Sequence, residues 1–337
     1  MIAAEEVVLV RDIDGPPCAA DFKLRAVEAP SHGEGEILVR TIYLSLDPYV
    51  GSILRGRHFN ESRPRAGDVV PGRAVAEVLQ SRAPGFAPGD LVRVETGWRS
   101  LAVAPASGAA KISRDEGPLS AQLGAAGMPG LTAYAGMKHL AKVGGGEHVL
   151  VSAAAGGVGG AAGQIARILG AEKVVGLAGS AEKCARAVET FGFDDCINYR
   201  AEGWRDDLKR AFPRGIDVYF DNVGGQALDA ALAQLAHYGR VVLCGLASQY
   251  QTAERPAGPN PGMFIAKRAQ VFGLVVYDFE HEQEAYSRMA SAWIREGRLA
   301  VLEDRAEGLV QAPSLFEKLM RGENVGKTIV VVGPEKN

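Results

Sequence analysis

Between residues 151 and 180 the chain reads VSAAAGGVGGAAGQIARILGAEKVVGLAGS, rich in glycine and alanine and almost without reactive side chains. Ala154-x-Gly156-x-x-Gly159 puts small residues where a strand-to-helix turn must be tight and a pyrophosphate must reach the N–H groups of a helix start. A close-packed turn without a ligand would use the same residues. The apolar strand before the motif and the helical segment after it favour a dinucleotide. An NAD site usually carries an acid about 20 residues beyond the loop, on the adenosine ribose. Here that region is Leu177-Ala178-Gly179-Ser180, with no carboxylate to repel a 2′-phosphate. Ser180 reads as an N-cap, Lys183 follows one turn on, and Tyr199 with Arg200 could reach the same corner from the end of the next strand. Lys183 alone could be a solvated helix charge, and Tyr199 a surface-facing strand end. Together with the missing acid they favour NADP(H) over NAD(H).

Other chemistry is sparse. The four cysteines, Cys18, Cys184, Cys196 and Cys244, and the six histidines lack zinc-ligand spacing, so reduced thiols and no metal are expected. A net charge of −3 leaves no basic footprint for nucleic acid or an anionic membrane. The opening MIAAEEVVLVRDIDG has acids where a signal peptide has basic residues, and no apolar run is long enough to span a bilayer. A cytoplasmic location is expected.

Two styles of sequence must position these residues. At 337 residues the chain exceeds what one hydrophobic core usually serves. Its first part holds short β-prone runs broken by proline and glycine: EILVRTIYLSLDPYV, RAVAEVLQ, DLVRVETGW and RSLAVA. From about residue 123, strands (EHVLVSAA, EKVVGLAG, CINYR, IDVYFDNVGG, RVVLCGLA, QVFGLVVYDF) alternate with helical segments (GGAAGQIARILG, AEKCARAVETFG, GWRDDLKRAF, GQALDAALAQLAHYG, EQEAYSRMASAWIREG). Such alternation predicts an α/β fold with a doubly wound parallel sheet of the Rossmann type over residues 123–299. Residues 1–122 and 300–337, ending in GKTIVVVG, are expected to form one discontinuous β-rich domain.

The pieces YLSLDPYV, GMPGLTAY, AAAGGVG, VVGLAGSAEKC, FDNVGG, LCGLASQY, GLVVY and NVGKTIV follow one another within the span from about residue 38 to residue 332. In them the chain resembles the zinc-independent medium-chain dehydrogenase/reductases, in the group of the leukotriene/prostaglandin reductases and bacterial curcumin reductases. The resemblance implies a GroES-like catalytic domain interrupted by an NADP-binding Rossmann domain, with a cleft between them. It implies cofactor contacts at Gly156, Gly157, Val158, Gly159 and Gly160, and at Ser180, Lys183 and Tyr199. They continue at Asn222, at Cys244, Gly245, Leu246, Ser248 and Tyr250, at Leu274, Val275 and Val276, and at Asn324. Zinc-dependent relatives hold their metal where this chain has Leu46-Asp47-Pro48 and Pro71-Gly72-Arg73-Ala74. The chain departs from the group at Val50-Gly51, where an arginine is usual after the DPY motif, and at Gln251, where asparagine is usual.

With a nicotinamide and no metal, the accessible reaction is hydride transfer to a carbon that is already electrophilic, as in an α,β-unsaturated ketone or aldehyde. The β-carbon takes the hydride, and the oxygen that gains charge needs a hydrogen-bond donor. Tyr250 and Tyr49 are the candidates, with the cofactor ribose and water as alternatives. The expected activity is an NADPH-dependent enone or alkenal reductase acting on CH–CH groups. An NADPH quinone oxidoreductase is the second reading; a cofactor-binding sensor or structural protein without turnover is the third. QVFGLVVYDF should lie at a sheet edge, and the family pairs sheets there, so a homodimer is expected.

Overall fold

The structure, a computed structural model, describes residues 3–58, 62–250 and 257–335. Its chain divides into two compact units, Met1–Leu123 with Glu303–Asn337, and Gly124–Leu302.

The first unit opens with an antiparallel pair, β1 (Ala3–Leu9) and β2 (Phe22–Glu28). β3 (Glu36–Ser45) then leads into the short helix α1 (Pro48–Leu54), where Asp47 is the N-cap residue and Pro48 takes the first position, its fixed φ suiting a helix start. The EILVRTIYLSLDPYV run therefore ends as a strand at Ser45. β4 (Arg73–Ser81), β5 (Leu91–Glu95), β6 (Leu101–Pro105) and β7 (Ala110–Ile112) follow. Alternate positions, Ile37 and Val39, Ala76 and Val78, Val92 and Val94, Ala102 and Ala104, turn one way and share a core.

The second unit enters on α2 (Met128–Tyr134), which widens into a π-helical stretch at Ala135–Leu140. Strands and helices then alternate: β8 (His148–Ser152), α3 (Gly157–Ile168), β9 (Lys173–Ala178), α4 (Ala181–Glu189), β10 (Asp195–Asn198), α5 (Trp204–Ala211) and β11 (Ile216–Asp221). Next come α6 (Gly225–Gln234), β12 (Leu235–Leu243), α7 (Pro261–Lys267), β13 (Gln270–Gly273) and α8 (Gln283–Arg295). The sheet is parallel, in the order β10-β9-β8-β11-β12-β13. The order reverses direction between β8 and β11, and a doubly wound sheet opens its ligand crevice there, beyond the C-terminal strand ends. This is a Rossmann domain.

The chain closes the first unit with β14 (Glu303–Glu307), α9 (Ala312–Met320) and β15 (Lys327–Val331). The sheet there runs β14-β15-β3-β4-β5-β7, with β6 also on β3, completing the GroES-like domain.

Two further sequence expectations need correction. The helix expected over GQALDAALAQLAHYG stops at Gln234, because Leu235 is already paired with Ile216 in the sheet. QVFGLVVYDF is a strand only over Gln270–Gly273, after which Val276–Glu282 winds into 3-10 turns. No described helix is long and apolar enough to cross a membrane.

Candidate functional site

β8 is buried along its whole length and stops at Ser152. Ala153 takes a left-handed φ of 51°, Gly156 is extended, and α3 begins at Gly157. Among the described residues no side chain caps α3. Gly157, Val158 and Gly159 thus form a first turn whose N–H groups lie before any intrahelical acceptor, while Gly160 N already bonds Gly156 O at 2.8 Å. Gly159 lets that turn rest on the end of β8: a side-chain carbon there would fall 2.2 Å from Ala153 O. The bare helix start and its partial positive charge fit a pyrophosphate.

Ser180 caps α4 as expected, its Oγ accepting from Lys183 N at 3.2 Å. Gly179 precedes it, where NAD sites carry their acid. A side-chain carbon on Gly179 would lie 3.2 Å from Tyr199 Oη and 3.5 Å from Arg200 Nε. The Arg200 guanidinium stands 5.8 Å from the Tyr199 ring centroid. A phenol, a guanidinium and a helix start carrying half-buried Lys183 therefore gather at one corner, while Glu182 points to solvent. That donor set fits a 2′-phosphate.

The ends of β8, β11 and β12 are tied together by Ser152 and Asp221. Asp221 Oδ1 accepts from Tyr219 Oη at 2.7 Å, Ser152 Oγ at 3.1 Å, and Val223 N and Gly224 N at 2.9 Å each. Its Oδ2 is buried with no hydrogen-bond partner among the described residues. Burial pushes the carboxyl above its ordinary value, although those donors favour the ion. Asp221 O accepts from Cys244 N and Gly245 N at 2.8 and 3.1 Å, and Asn222 O from Ala247 N at 3.1 Å. Ser248 Oγ donates to Val223 O at 2.6 Å, and Asn222 Nδ2 to Ser152 O at 2.7 Å. This mesh brings Asn222, Cys244, Gly245, Leu246, Ser248 and Tyr250 to one rim; Tyr250 is half-buried, its N–H on Ala247 O at 3.2 Å. Burial and then the Asp221 charge push the Cys244 thiol up to about 12, which favours its neutral form. Leu274 joins the rim through its N–H on Leu243 O at 2.9 Å, with Val275 and Val276 next along the chain.

The other residues that the sequence puts forward, Tyr49 and Asn324, belong to the first unit. Tyr49, in the first turn of α1, is half-buried, with its ring 5.5 Å from His58. Asn324 Nδ2 donates to Gly326 O at 2.9 Å. At the positions where zinc-dependent relatives keep ligands, the charges are already committed to ion pairs. Buried Asp47 holds Lys327 Nζ at 3.0 Å and accepts from Ser45 Oγ, and Arg73 Nε holds Glu95 at 2.8 Å. Among the described residues no three His, Cys, Asp or Glu side chains are grouped to hold a metal ion, so the residues do not fit zinc. The departure at Gly51 has a packing counterpart, since a side-chain carbon there would fall 2.6 Å from Met320 Cε. Gln251, with residues 252–256 and 59–61, lies outside the described residues.

A Rossmann sheet interrupting a β-rich domain, with a bare glycine turn and an acid-free ribose corner, defines a two-domain dinucleotide-dependent oxidoreductase. Comparison with known proteins narrows this. Residues 157–292 match the family model described as zinc-binding dehydrogenase, and residues 5–112 that of the N-terminal domain of oxidoreductase. The chain is 39% identical over 342 residues to an NADP(+)-dependent 2-alkenal reductase of Nicotiana tabacum, covering 99% of each chain. It is 39% identical over 336 residues to prostaglandin reductase 1 of Bos taurus, covering 98% of this chain and 99% of the other. The crystal structure of CurA from Vibrio vulnificus in complex with NADPH superposes with a TM-score of 0.91 at 33% identity, over 98% of this chain and all of that one. The chain belongs to the zinc-independent medium-chain dehydrogenase/reductases, in the group that includes the prostaglandin reductases.

Sequence reasoning missed Ser152 and Asp221. The available signal was a polar residue closing each of two buried apolar runs, residues 149–151 and 218–220, where an unpaired polar group would be costly.

Proposed function

We propose that this protein is an NADPH-dependent reductase of the carbon–carbon double bond of α,β-unsaturated ketones and aldehydes. The observation that carries the cofactor choice is the Gly179 corner, where Tyr199 Oη and Arg200 Nε pack against a residue with no side chain and Ser180 opens α4. An acid there would repel a 2′-phosphate; a phenol, two cations and a helix N-terminus attract one. The reaction is supported by relatives alike over nearly their whole length, among them the 2-alkenal reductase and prostaglandin reductase 1.

When bound, NADPH supplies a hydride from nicotinamide C4 to the substrate β-carbon. The chain's residues do the rest by position. The first turn of α3 holds the pyrophosphate, and Lys183 and Tyr199 the 2′-phosphate. Asn222, the Cys244–Tyr250 turn, Leu274 to Val276 and Asn324 orient the nicotinamide end. A tyrosine hydroxyl, Tyr250 first and Tyr49 second, donates to the carbonyl oxygen as it becomes an enolate, and water protonates the α-carbon. Such a donor is worth most where water is excluded.

We further assign a homodimer, formed along the outer edge of β13. β13 is the outermost strand of its sheet among the described residues, Val271 there is 41% exposed and Tyr277 beyond it 39%, and a strand edge with apolar neighbours invites pairing. Sedimentation at twice the chain mass supports this; a monomer removes it. The free thiols of Cys18, Cys184, Cys196 and Cys244 suit a reducing cytoplasm. The reaction is tested by supplying an enone, an enal and a quinone in parallel with NADPH. A saturated carbonyl product is expected; quinol formation alone would overturn the assignment.

A further inference from the structure

Cys184 and Cys196 take no part in the site described above, yet they lie beneath its ribose corner. α4 packs on β9 and β10, and Cys184 faces that sheet with 8% exposure. On β10, Cys196 stands opposite Gly176 of β9. Its neighbour Ile197 packs with Trp204 and Leu208 on the α5 side, so strand alternation turns Cys196 toward α4. Gly176 opens the room, because a side-chain carbon there would fall 2.9 Å from Cys196 Sγ. In that space the two free thiols come close enough to act on each other. The neighbouring Cys196 thiol holds the Cys184 thiol below its ordinary pKa despite burial, and Cys184 together with burial raises Cys196. Of the two, Cys184 is the more readily ionised, and it is the residue next to Lys183.

We propose that Cys184 and Cys196 are an oxidation site, forming a reversible disulfide on exposure to hydrogen peroxide that weakens the hold on NADPH; the second half rests on the function assigned above. The Cys184 thiolate attacks the peroxide O–O bond, which breaks; Cys184 becomes a sulfenic acid, and the released hydroxide takes a proton to leave as water. The Cys196 sulfur then attacks the sulfenic sulfur. The S–S bond forms, the S–O bond breaks, and a second water leaves with the Cys196 proton. Two thiols are oxidised and one peroxide is reduced; a dithiol such as dithiothreitol reverses the change by exchange. Disulfide sulfurs stand about 2 Å apart, closer than any thiol hydrogen bond. Closing the bond draws the start of α4 toward β10, carrying Lys183 and its 3.2 Å link to Ser180 away from the 2′-phosphate. NADH has no such phosphate and is held as before.

The test treats the full chain with hydrogen peroxide, blocks remaining thiols by alkylation, and maps unreduced peptides by mass spectrometry. Fluorescence titrations with NADPH and NADH are run before treatment, after it, and after dithiothreitol. A peptide pair linked through 184 and 196 is expected, with NADPH affinity about tenfold weaker. NADH affinity should stay within about twofold, and dithiothreitol should restore the starting values. Cys196→Ser and Cys184→Ala should each remove the link and the response. Oxidation of either cysteine without the link, or a link that leaves NADPH affinity unchanged, overturns the proposal. Failure of the untreated chain to bind NADPH removes the functional reading and with it the consequence, while the peptide map still decides the disulfide.

Discussion

Replacing Gly159 with alanine should separate a cofactor-cradling turn from an ordinary packed one. The new methyl would lie 2.2 Å from Ala153 O, 2.7 Å from Ala153 C and 3.0 Å from Ser152 O. All three are backbone atoms, so no rotamer change relieves the clash. Carbon–oxygen contacts ordinarily begin above about 3.3 Å, so the helix start must withdraw by about 1 Å. Overpacking of that kind costs about 1–3 kcal/mol, which in a unit of this size lowers Tm by roughly 2–12 °C. Function should suffer more, since a displacement of about 1 Å in a positioning element can cost on the order of 10²-fold. Gly156→Ala is the control. Its methyl meets only Ala153 O at 3.3 Å, and Gly156 already has a φ of −92° that alanine accepts. NADPH titration and thermal melts of both variants decide the matter. Gly159→Ala should bind NADPH at least tenfold more weakly than Gly156→Ala. Equal affinities in two folded variants would mean that the helix start does not hold the cofactor.

Lys183→Ala should weaken NADPH affinity by about tenfold or more and leave NADH affinity unchanged, as the loss of one charge-assisted bond to phosphate predicts; parallel titrations check this, and equal losses for both cofactors count against the corner. Tyr250→Phe should lower kcat by about 10²-fold with NADPH affinity retained, and steady-state kinetics showing less than about a threefold loss would move the donor role elsewhere. Acid should destabilise the first unit through Asp21. Burial opposes its ionisation, but the Cys18 N–H at 2.8 Å and the Arg11 guanidinium at 2.5 Å outweigh it and hold the carboxyl below its ordinary pKa. A depressed carboxyl contributes in full above its unfolded value and loses that contribution as pH falls through the lower folded one. Thermal melts below pH 4 should therefore fall more steeply for the parent than for Asp21→Asn; parallel curves contradict this.

What could be read from the sequence was what local chemistry alone decides. The β8–α3 turn was legible because its close backbone approach needs small residues at fixed spacing. The ribose corner was legible because a missing acid and a serine cap are local facts. The end of α6 was not: LAQLAHYG satisfies a helix and a strand equally, and pairing of Leu235 with Ile216, together with a left-handed Tyr238 at φ 65°, decides for the strand. α9 was missed although APSLFEKLM buries Leu315, Phe316, Leu319 and Met320 on one face, because the surrounding residues read as β-rich. The Asp221 network was illegible for another reason. Its donors come from β8, β11 and the turn after β11, and only the folded sheet brings them to one oxygen.

The central claim is that hydride passes from a phosphorylated nicotinamide carrier to the β-carbon of a conjugated carbonyl. NADPH with deuterium at both C4 positions, an enone and the purified chain test it in one reaction, read by NMR of the product. The account predicts a saturated ketone with deuterium at the β-carbon. Deuterium on the carbonyl carbon of an alcohol, or no transfer from NADPH under conditions where NADH is consumed, would contradict it.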